Sequence, residues 1–185
     1  SVEYQYPNHL FQAGYFLDKK YYDENTIDFK HLLLSEKNQS LLKDIQNSNS
    51  VGVHIRRGDY MTKQNLVIFG NICTQKYYHD AIRIITEKVN DAVFYVFSDD
   101  ISWVQTHLDI PNAVYVNWNT GESSIYDMYL MSSCKYNIIA NSTFSYWAAR
   151  LNKKTNMVIY PSKWYDTFTP DLSLIHISEP TRLRR

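Results

Sequence analysis

Three short runs in this 185-residue chain carry residues whose types and spacing could do chemistry. The first is His54-Ile55-Arg56-Arg57-Gly58-Asp59. Side chains alternate across an extended strand, so His54 and Arg56 share one side while Ile55 and Arg57 share the other. A guanidinium is planar, permanently charged and bidentate, which suits Arg56 to a phosphate; it equally suits a structural pair with a carboxylate such as Asp59. Arg57 shares its side with core positions and can be held by Asp59 or Asp99. His54 offers its ring to a ribose hydroxyl or to a structural hydrogen bond. The tripeptide Arg57-Gly58-Asp59 directly follows a buried strand, which argues against an exposed adhesion loop.

The second run is Asn141-Ser142-Thr143-Phe144-Ser145, where a strand passes into a helix through small hydroxyl residues. A helix N-terminus presents free N–H groups and a positive dipole end, so it attracts anions, and the hydroxyls of Ser142, Thr143 and Ser145 add donors. Simple capping by Asn141 or Ser142 is compatible with that use. There is no Gly-rich run and no Lys, so this is not a P-loop. The third position is Asp127, in the first turns of the preceding helix. The dipole alone would favour an acid there, but a carboxylate can also accept the N1–H and N2–H₂ pair of a guanine. Asp99-Asp100 is an adjacent carboxylate pair with no His or third acid nearby, and it reads as no metal site. A diphosphate leaving group would then be neutralised by Arg and helix N–H groups, an electrostatic strategy.

Hydrophobic periodicity supplies the elements that must position these residues. Ile27–Gln46 reads as a helix, with Phe29, Leu32, Leu33, Leu41, Leu42 and Ile45 apolar. The first 25 residues read as irregular and rich in aromatics: Phe11, Tyr15, Phe16, Tyr21 and Tyr22. From Val51 the pattern alternates: strand Val51–Arg56, helix Thr74–Val89, strand Ala92–Phe97, a short helix near Ile101–Leu108 and strand Ala113–Val116. Helix Ser124–Cys134 follows with Ser123 as cap, then strand Tyr136–Ala140, helix Thr143–Leu151 and strand Met157–Tyr160. Alternation of this kind predicts an α/β, Rossmann-like fold: a mostly parallel sheet with helices on both faces. Ligands of such sheets sit beyond the carboxyl ends of the strands. His54–Asp59, Ser98–Asp100 and Asn141–Thr143 all fall there.

The ordered set His54-Ile-Arg-Arg-Gly-Asp-Tyr60, Phe97-Ser-Asp-Asp100, Asp127-Met-Tyr-Leu-Met-Ser-Ser-Cys134 and Ile138-Ile-Ala-Asn-Ser-Thr-Phe-Ser-Tyr-Trp-Ala resembles the α-1,2-fucosyltransferases (glycosyltransferase family 11). It resembles the α-1,6- and protein O-fucosyltransferases more distantly. Tyr160-Pro-Ser-Lys-Trp164 fits the segment that usually follows, and Ala13–Tyr22 looks like the family's aromatic segment. The match covers roughly residues 10 to 170. The resemblance implies a GT-B-type enzyme of which this is the nucleotide-binding half. It implies inverting transfer of L-fucose from GDP-fucose to the 2-hydroxyl of a terminal β-galactoside, with no metal and no other cofactor. On that basis His54 meets the ribose, Arg56 the β-phosphate, Asp127 the guanine and Ser142, Thr143, Phe144 and Ser145 the pyrophosphate. Arg57 and Asp100 complete the donor pocket, and Arg56 and Asp59 are the candidate catalytic residues. Two departures stand out. The family's opening Gly-Asn-Gln segment is missing, so the fragment is expected to bind GDP without necessarily transferring sugar. Met61–Asn65, where the α-1,6 relatives carry a Glu, offers no acid. The base is then Asp59, or the departing GDP oxygen takes the proton. Another GDP-sugar transferase and an inactive GDP-binding fragment are the competing readings.

The bulk numbers bound these readings. Hydrophobic residues make up 44% and charged residues 21%, with formal net charge zero, which fits a globular domain and argues against nucleic acid as partner. Cys73 and Cys134 match no metal or redox spacing. No stretch is long enough to span a membrane. Ser1 is not a natural start, and the chain is expected to begin inside a longer protein. The final run, Ser173–Arg185, breaks the preceding pattern and resembles translated adapter sequence rather than a natural tail. The expected organisation is therefore 1–48 as a link to a missing N-terminal part, 49–172 as the GDP-sugar-binding domain, and 173–185 as non-native. The sequon Asn141-Ser-Thr143 lies where a glycan would block the phosphate turn. That points to a bacterial cytoplasm, peripherally at the inner membrane face where surface polysaccharides such as O-antigen are built.

Overall fold

A computed structural model describes residues 28–164 in full and the backbone of 2–6, 9–13 and 181–183. Tyr15, Phe16, Tyr21, Tyr22 and most of the final run lie outside the described residues. The first two strands, β1 (Val2–Tyr6) and β2 (His9–Ala13), pair antiparallel with Tyr6 opposite His9, where the sequence suggested irregular chain.

Helix α1 spans Glu36–Asn47 rather than starting at Ile27. Ser35 sets the start: its side chain accepts the Asn38 N–H at 3.3 Å, satisfying one of the helix's free donors. Phe29, Leu32 and Leu33 therefore fall outside the helix, and Leu33 is 88% exposed. Phe29 packs instead against Tyr129, ring centroids 5.1 Å apart and tilted by 49°.

The main sheet begins with β3 (Asn49–Ile55). A 3₁₀ turn at Gly58–Met61, the single turn α2 (Lys63–Asn65) and a wide π-helical turn at Leu66–Gly70 lead to α3 (Gln75–Lys88). Then come β4 (Ala92–Ser98), α4 (Ile101–His107), β5 (Ala113–Val116), α5 (Ser124–Ser132), β6 (Tyr136–Ile138), α6 (Thr143–Leu151) and β7 (Met157–Pro161). A last strand, β8 (Thr181–Leu183), pairs parallel with β7. The sheet order is β5-β4-β3-β6-β7-β8, with every pair parallel. Chain order runs outward from β3 in one direction and from β6 in the other. The gap between them is the topological switch point, where ligands of such sheets bind.

Alternating residues of each central strand feed two cores, one on each face, as expected of a buried parallel strand. Val51, Val53 and Ile55 of β3 and Phe94 and Val96 of β4 pack with Tyr78, Ala81 and Ile85 of α3. On the other face Tyr95, Phe97, Val116 and Val158 pack with Leu41 and Ile45 of α1, Met131 of α5 and Tyr146 of α6. Each fully buried Ile, Leu or Phe contributes about 1.5–3 kcal/mol. Helix α1, grouped by sequence with 1–48, thus shares a core with β4 and β5. Buried hydroxyls are satisfied where the strands end: Tyr78 Oη donates to the His54 carbonyl at 3.2 Å and Tyr77 Oη to that of Ile139 at 2.7 Å. Among the described residues, no helix is long and apolar enough to cross a membrane.

Candidate functional site

A cleft of about 770 Å³ opens at the carboxyl ends of β3, β4 and β5. Its wall carries His54 and Arg56 from the end of β3 and Phe97–Ser102 from β4 and α4. Asn117, Asn119 and Thr120 come from the loop after β5, Asp127 from α5 and Phe144 from α6.

Arg56 is clamped by two carboxylates. Its Nη2 lies 2.7 Å from Asp59 Oδ1 and its Nη1 3.0 Å from Asp99 Oδ2. Gly58 makes room for this: a Cβ built there would stand 2.5 Å from Asp99 Oδ2. Arg57 takes the other side, as strand alternation requires. Its Nε lies 3.3 Å from Asp100 Oδ2 and its guanidinium 3.6 Å over the Trp103 ring. Arg57 is absent from the cleft wall; its side chain pairs with Asp100, while its backbone N–H donates to the carboxylate of Asp99, one of the two considered from sequence, at 2.9 Å. Asp100 does line the cleft, where its Oδ1 also accepts the Trp103 N–H at 3.1 Å and so caps α4.

His54 is 6% exposed and its ring packs against Phe144, centroids 4.9 Å apart. Burial, helped by the neighbouring Arg56 charge, pushes its pKa down to about 3. The imidazole is therefore neutral at physiological pH, a hydrogen-bonding group and not a counter-ion for phosphate. Its buried Nδ1 has no hydrogen-bond partner among the described residues.

Asp127 sits at the other end of the cleft. Its Oδ1 accepts from Asn119 Nδ2 at 2.7 Å. Burial raises its pKa to about 7 and outweighs the lowering effect of that hydrogen bond.

The start of α6 differs from expectation. Ser142 occupies the capping position but its side chain makes no cap hydrogen bond. Asn141 does not cap either; its Nδ2 donates to the carbonyls of Trp164 at 2.9 Å and Phe69 at 3.3 Å, fastening the turn from outside. Ser145 is fully buried and its hydroxyl meets the Ala140 carbonyl at 3.1 Å and that of Ser142 at 3.2 Å, so its proton is committed inward. Of the four residues assigned to the pyrophosphate turn, Phe144 is on the cleft wall, whereas Ser142, Thr143 and Ser145 are not. What this turn offers an anion is backbone N–H, since no side chain caps it. Ser123 likewise makes no side-chain cap for α5. Among the described residues, no group of three or more His, Cys, Asp or Glu is placed to hold a metal ion.

Sequence reasoning missed Asn117, Asn119 and Thr120. The rule that found the other clusters, polar residues just beyond a strand, points to Asn117–Gly121 as soon as it is applied to β5.

The α-1,2-colitosyltransferase of Escherichia coli is 42% identical over 128 residues, 66% of this chain and 43% of that protein. The O-antigen biosynthesis glycosyltransferase WbnK of the same species is 44% identical over 122 residues, covering 65% and 40%. The galactoside alpha-(1,2)-fucosyltransferase 2 of Pongo pygmaeus is 29% identical over 128 residues, covering 65% and 37%. The chain thus spans about two-fifths of the length of the curated relatives it matches. The model of glycosyl transferase family 11 matches residues 4–171, nearly the whole chain, and to that family the chain belongs.

Proposed function

We propose that this chain forms the donor-binding half of an inverting, metal-independent fucosyltransferase. It would move L-fucose from GDP-fucose to the 2-hydroxyl of a terminal β-galactoside. The observation that carries this reading is one cleft, at the carboxyl ends of β3, β4 and β5 of a parallel sheet, lined at once by Arg56, neutral His54 and Asp127. Asp127 accepts the guanine N1–H and N2–H₂ pair. His54, on the cleft wall, hydrogen-bonds a ribose hydroxyl, a role open to a neutral imidazole. Arg56 and the uncapped N-terminus of α6 meet the diphosphate.

The acceptor oxygen forms its bond to the fucose anomeric carbon as the bond from that carbon to the β-phosphate oxygen breaks. GDP leaves with the electron pair, and the acceptor, which attacks from the opposite face, gives its proton to water as the new bond forms. Arg56 stabilises the charge that develops. Asp59, already bonded to Arg56, holds the guanidinium in place rather than serving as base. An enzyme of this kind works at the inner face of a bacterial membrane, on growing surface glycans.

Thermal melting with GDP, UDP and ADP, each with and without EDTA, tests the donor pocket. A ligand at about 100 times its Kd stabilises by roughly 2.7 kcal/mol, a rise of about 5–10 °C for a domain of this size. The expected result is a rise with GDP alone, indifferent to EDTA and lost in Arg56→Ala. An equal rise with all three nucleotides would refute the guanine assignment.

The 42% identity to a colitosyltransferase favours a second reading, transfer of a colitosyl group from the same nucleotide. Offering both nucleotide sugars to the extended enzyme and weighing the product decides between them.

A further inference from the structure

Asp127 is the last member of a polar chain that begins on another element. Trp118 Nε1 donates to Asn38 Oδ1 at 2.8 Å. Asn38 Nδ2 donates to Asn119 Oδ1 at 2.9 Å. Asn119 Nδ2 returns one hydrogen bond to Asn38 Oδ1 at 3.1 Å and sends the other to Asp127 Oδ1 at 2.7 Å. Asn38 is 2% exposed and comes from the first turn of α1, whose start Ser35 sets. The Lys37 ammonium lies 3.7 Å over the Trp118 ring and holds the indole from its face.

The order of donors in this chain is forced. An indole N–H can only donate, so the atom of Asn38 facing it must be the oxygen. Asn38 Nδ2 then faces Asn119, whose oxygen must receive it. That leaves Asn119 Nδ2, and not its oxygen, turned toward Asp127. A reversed Asn119 would set a carbonyl against the carboxylate and favour the neutral acid, a weaker acceptor. Asp127 Oδ2 has no hydrogen-bond partner among the described residues, and the carboxylate lines the cleft.

We propose that Trp118 and Asn38 are specificity-determining positioning residues, which act through Asn119 to keep Asp127 an acceptor toward the nucleobase. This rests on the reading of Asp127 as the guanine acceptor. Neither residue lines the cleft itself, so their effect is on which base binds and not on contact with it.

The test is the dissociation constants of GDP, IDP and ADP, by calorimetry, for the unaltered chain and for Trp118→Phe, Asn38→Leu and Asn38→Asp. IDP lacks the N2 amine and ADP lacks both donors. Without the anchor the two amides are free to turn. In Trp118→Phe and Asn38→Leu the preference for GDP over ADP should then shrink about tenfold, the scale of one bidentate base contact. Pyrophosphate binding should stay unchanged. Asn38→Asp fills the same space and keeps the acceptor toward Trp118, but it removes the donor that Asn119 Oδ1 receives and sets a carboxylate oxygen against it, so it too should lose the preference, which a merely structural role would not predict. A Trp118→Phe or Asn38→Leu chain that melts cooperatively and keeps the full preference overturns the relay. An unaltered chain that binds nucleotides without preferring GDP instead refutes the guanine reading beneath it. Should neither variant fold, exchange of the side-chain amide protons in the unaltered chain decides. Slow exchange at Asn38 and Asn119 supports the locked order, and fast exchange overturns it.

Discussion

Asp127 sits in the first turn of α5, where the helix dipole favours a negative charge. Burial nonetheless holds its pKa at about 7, against an ordinary 3.8, because desolvation of the carboxylate outweighs both the dipole and the Asn119 hydrogen bond. The folded chain then binds this proton more tightly than the unfolded chain. The resulting stabilisation is fully present below about pH 3.8 and is lost as pH rises through about 7. At pH 8 an ionised Asp127 costs stability on the order of 2–4 kcal/mol. Under the proposed function, a donor pair from guanine would offset that cost. Asp127→Asn should therefore melt several degrees higher than the unaltered chain at pH 8 and converge with it toward pH 4, while losing the GDP-induced rise. Melting curves across pH 4–8, with and without GDP, check both halves. A variant that melts lower at pH 8 would mean that the ionised carboxylate stabilises the fold.

At the scale of elements, β3 carries the argument, because it feeds both cores and ends in the cleft. Val51, Val53 and Ile55 face one core, and their β-branched run made the strand legible in the sequence. On its other face Gly52 lets the end of α5 come close. A Cβ there would stand 2.9 Å from Asn137 Nδ2, 3.0 Å from Met131 Cγ and 3.2 Å from Cys134 Sγ. Asn137 is itself tied down, donating to the Met131 carbonyl at 3.0 Å and accepting from Asn152 Nδ2 at 2.8 Å, so it cannot simply yield. Gly52→Ala should lower stability by about 1–3 kcal/mol, as overpacking does, seen as a lower urea midpoint with an unchanged slope. A shifted slope would instead point to a change in the unfolded state. The main strands and helices from 51 to 160 were readable because period and turn chemistry agree there, whereas the short turns from Gly58 to Gly70, α2 among them, were not. The start of α1 was not, because the apolar run Leu32-Leu33-Leu34 continues the helical pattern upstream of the Ser35 cap, and a pattern alone does not say which cap wins. Likewise the hydroxyls of Ser142 and Ser145 looked available in sequence, but only the packing of α6 shows Ser145 turned inward to backbone carbonyls.

At the scale of the whole molecule, the question is where the folded unit built on the main sheet begins. The sequence drew that line at residue 49, just before strand periodicity starts, because the apolar residues of a covered strand face do not say which helix covers them. Leu41 and Ile45 of α1, 6% and 0% exposed, pack against Tyr95, Phe97 and Val116 and close the face that also holds α5. Removing α1 takes away two buried aliphatic side chains, roughly 3–6 kcal/mol of burial. It also uncovers the aromatic residues beneath, in a protein whose total stability is of the order of 5–15 kcal/mol. The same helix supplies Asn38, which bonds Asn119 at the Asp127 end of the cleft. A chain beginning at Asn49 should therefore lose cooperative melting, or melt far lower, and any folded fraction should bind GDP with little preference over ADP. A chain beginning at Asp28 keeps α1, its Ser35 cap and Asn38, and should show the GDP-induced rise that the shorter chain lacks. Circular dichroism melts of the two chains side by side, with GDP and with ADP, provide the comparison. Equal melting and equal selectivity in both would mean that the unit begins at β3 and that α1 is a passenger on its surface.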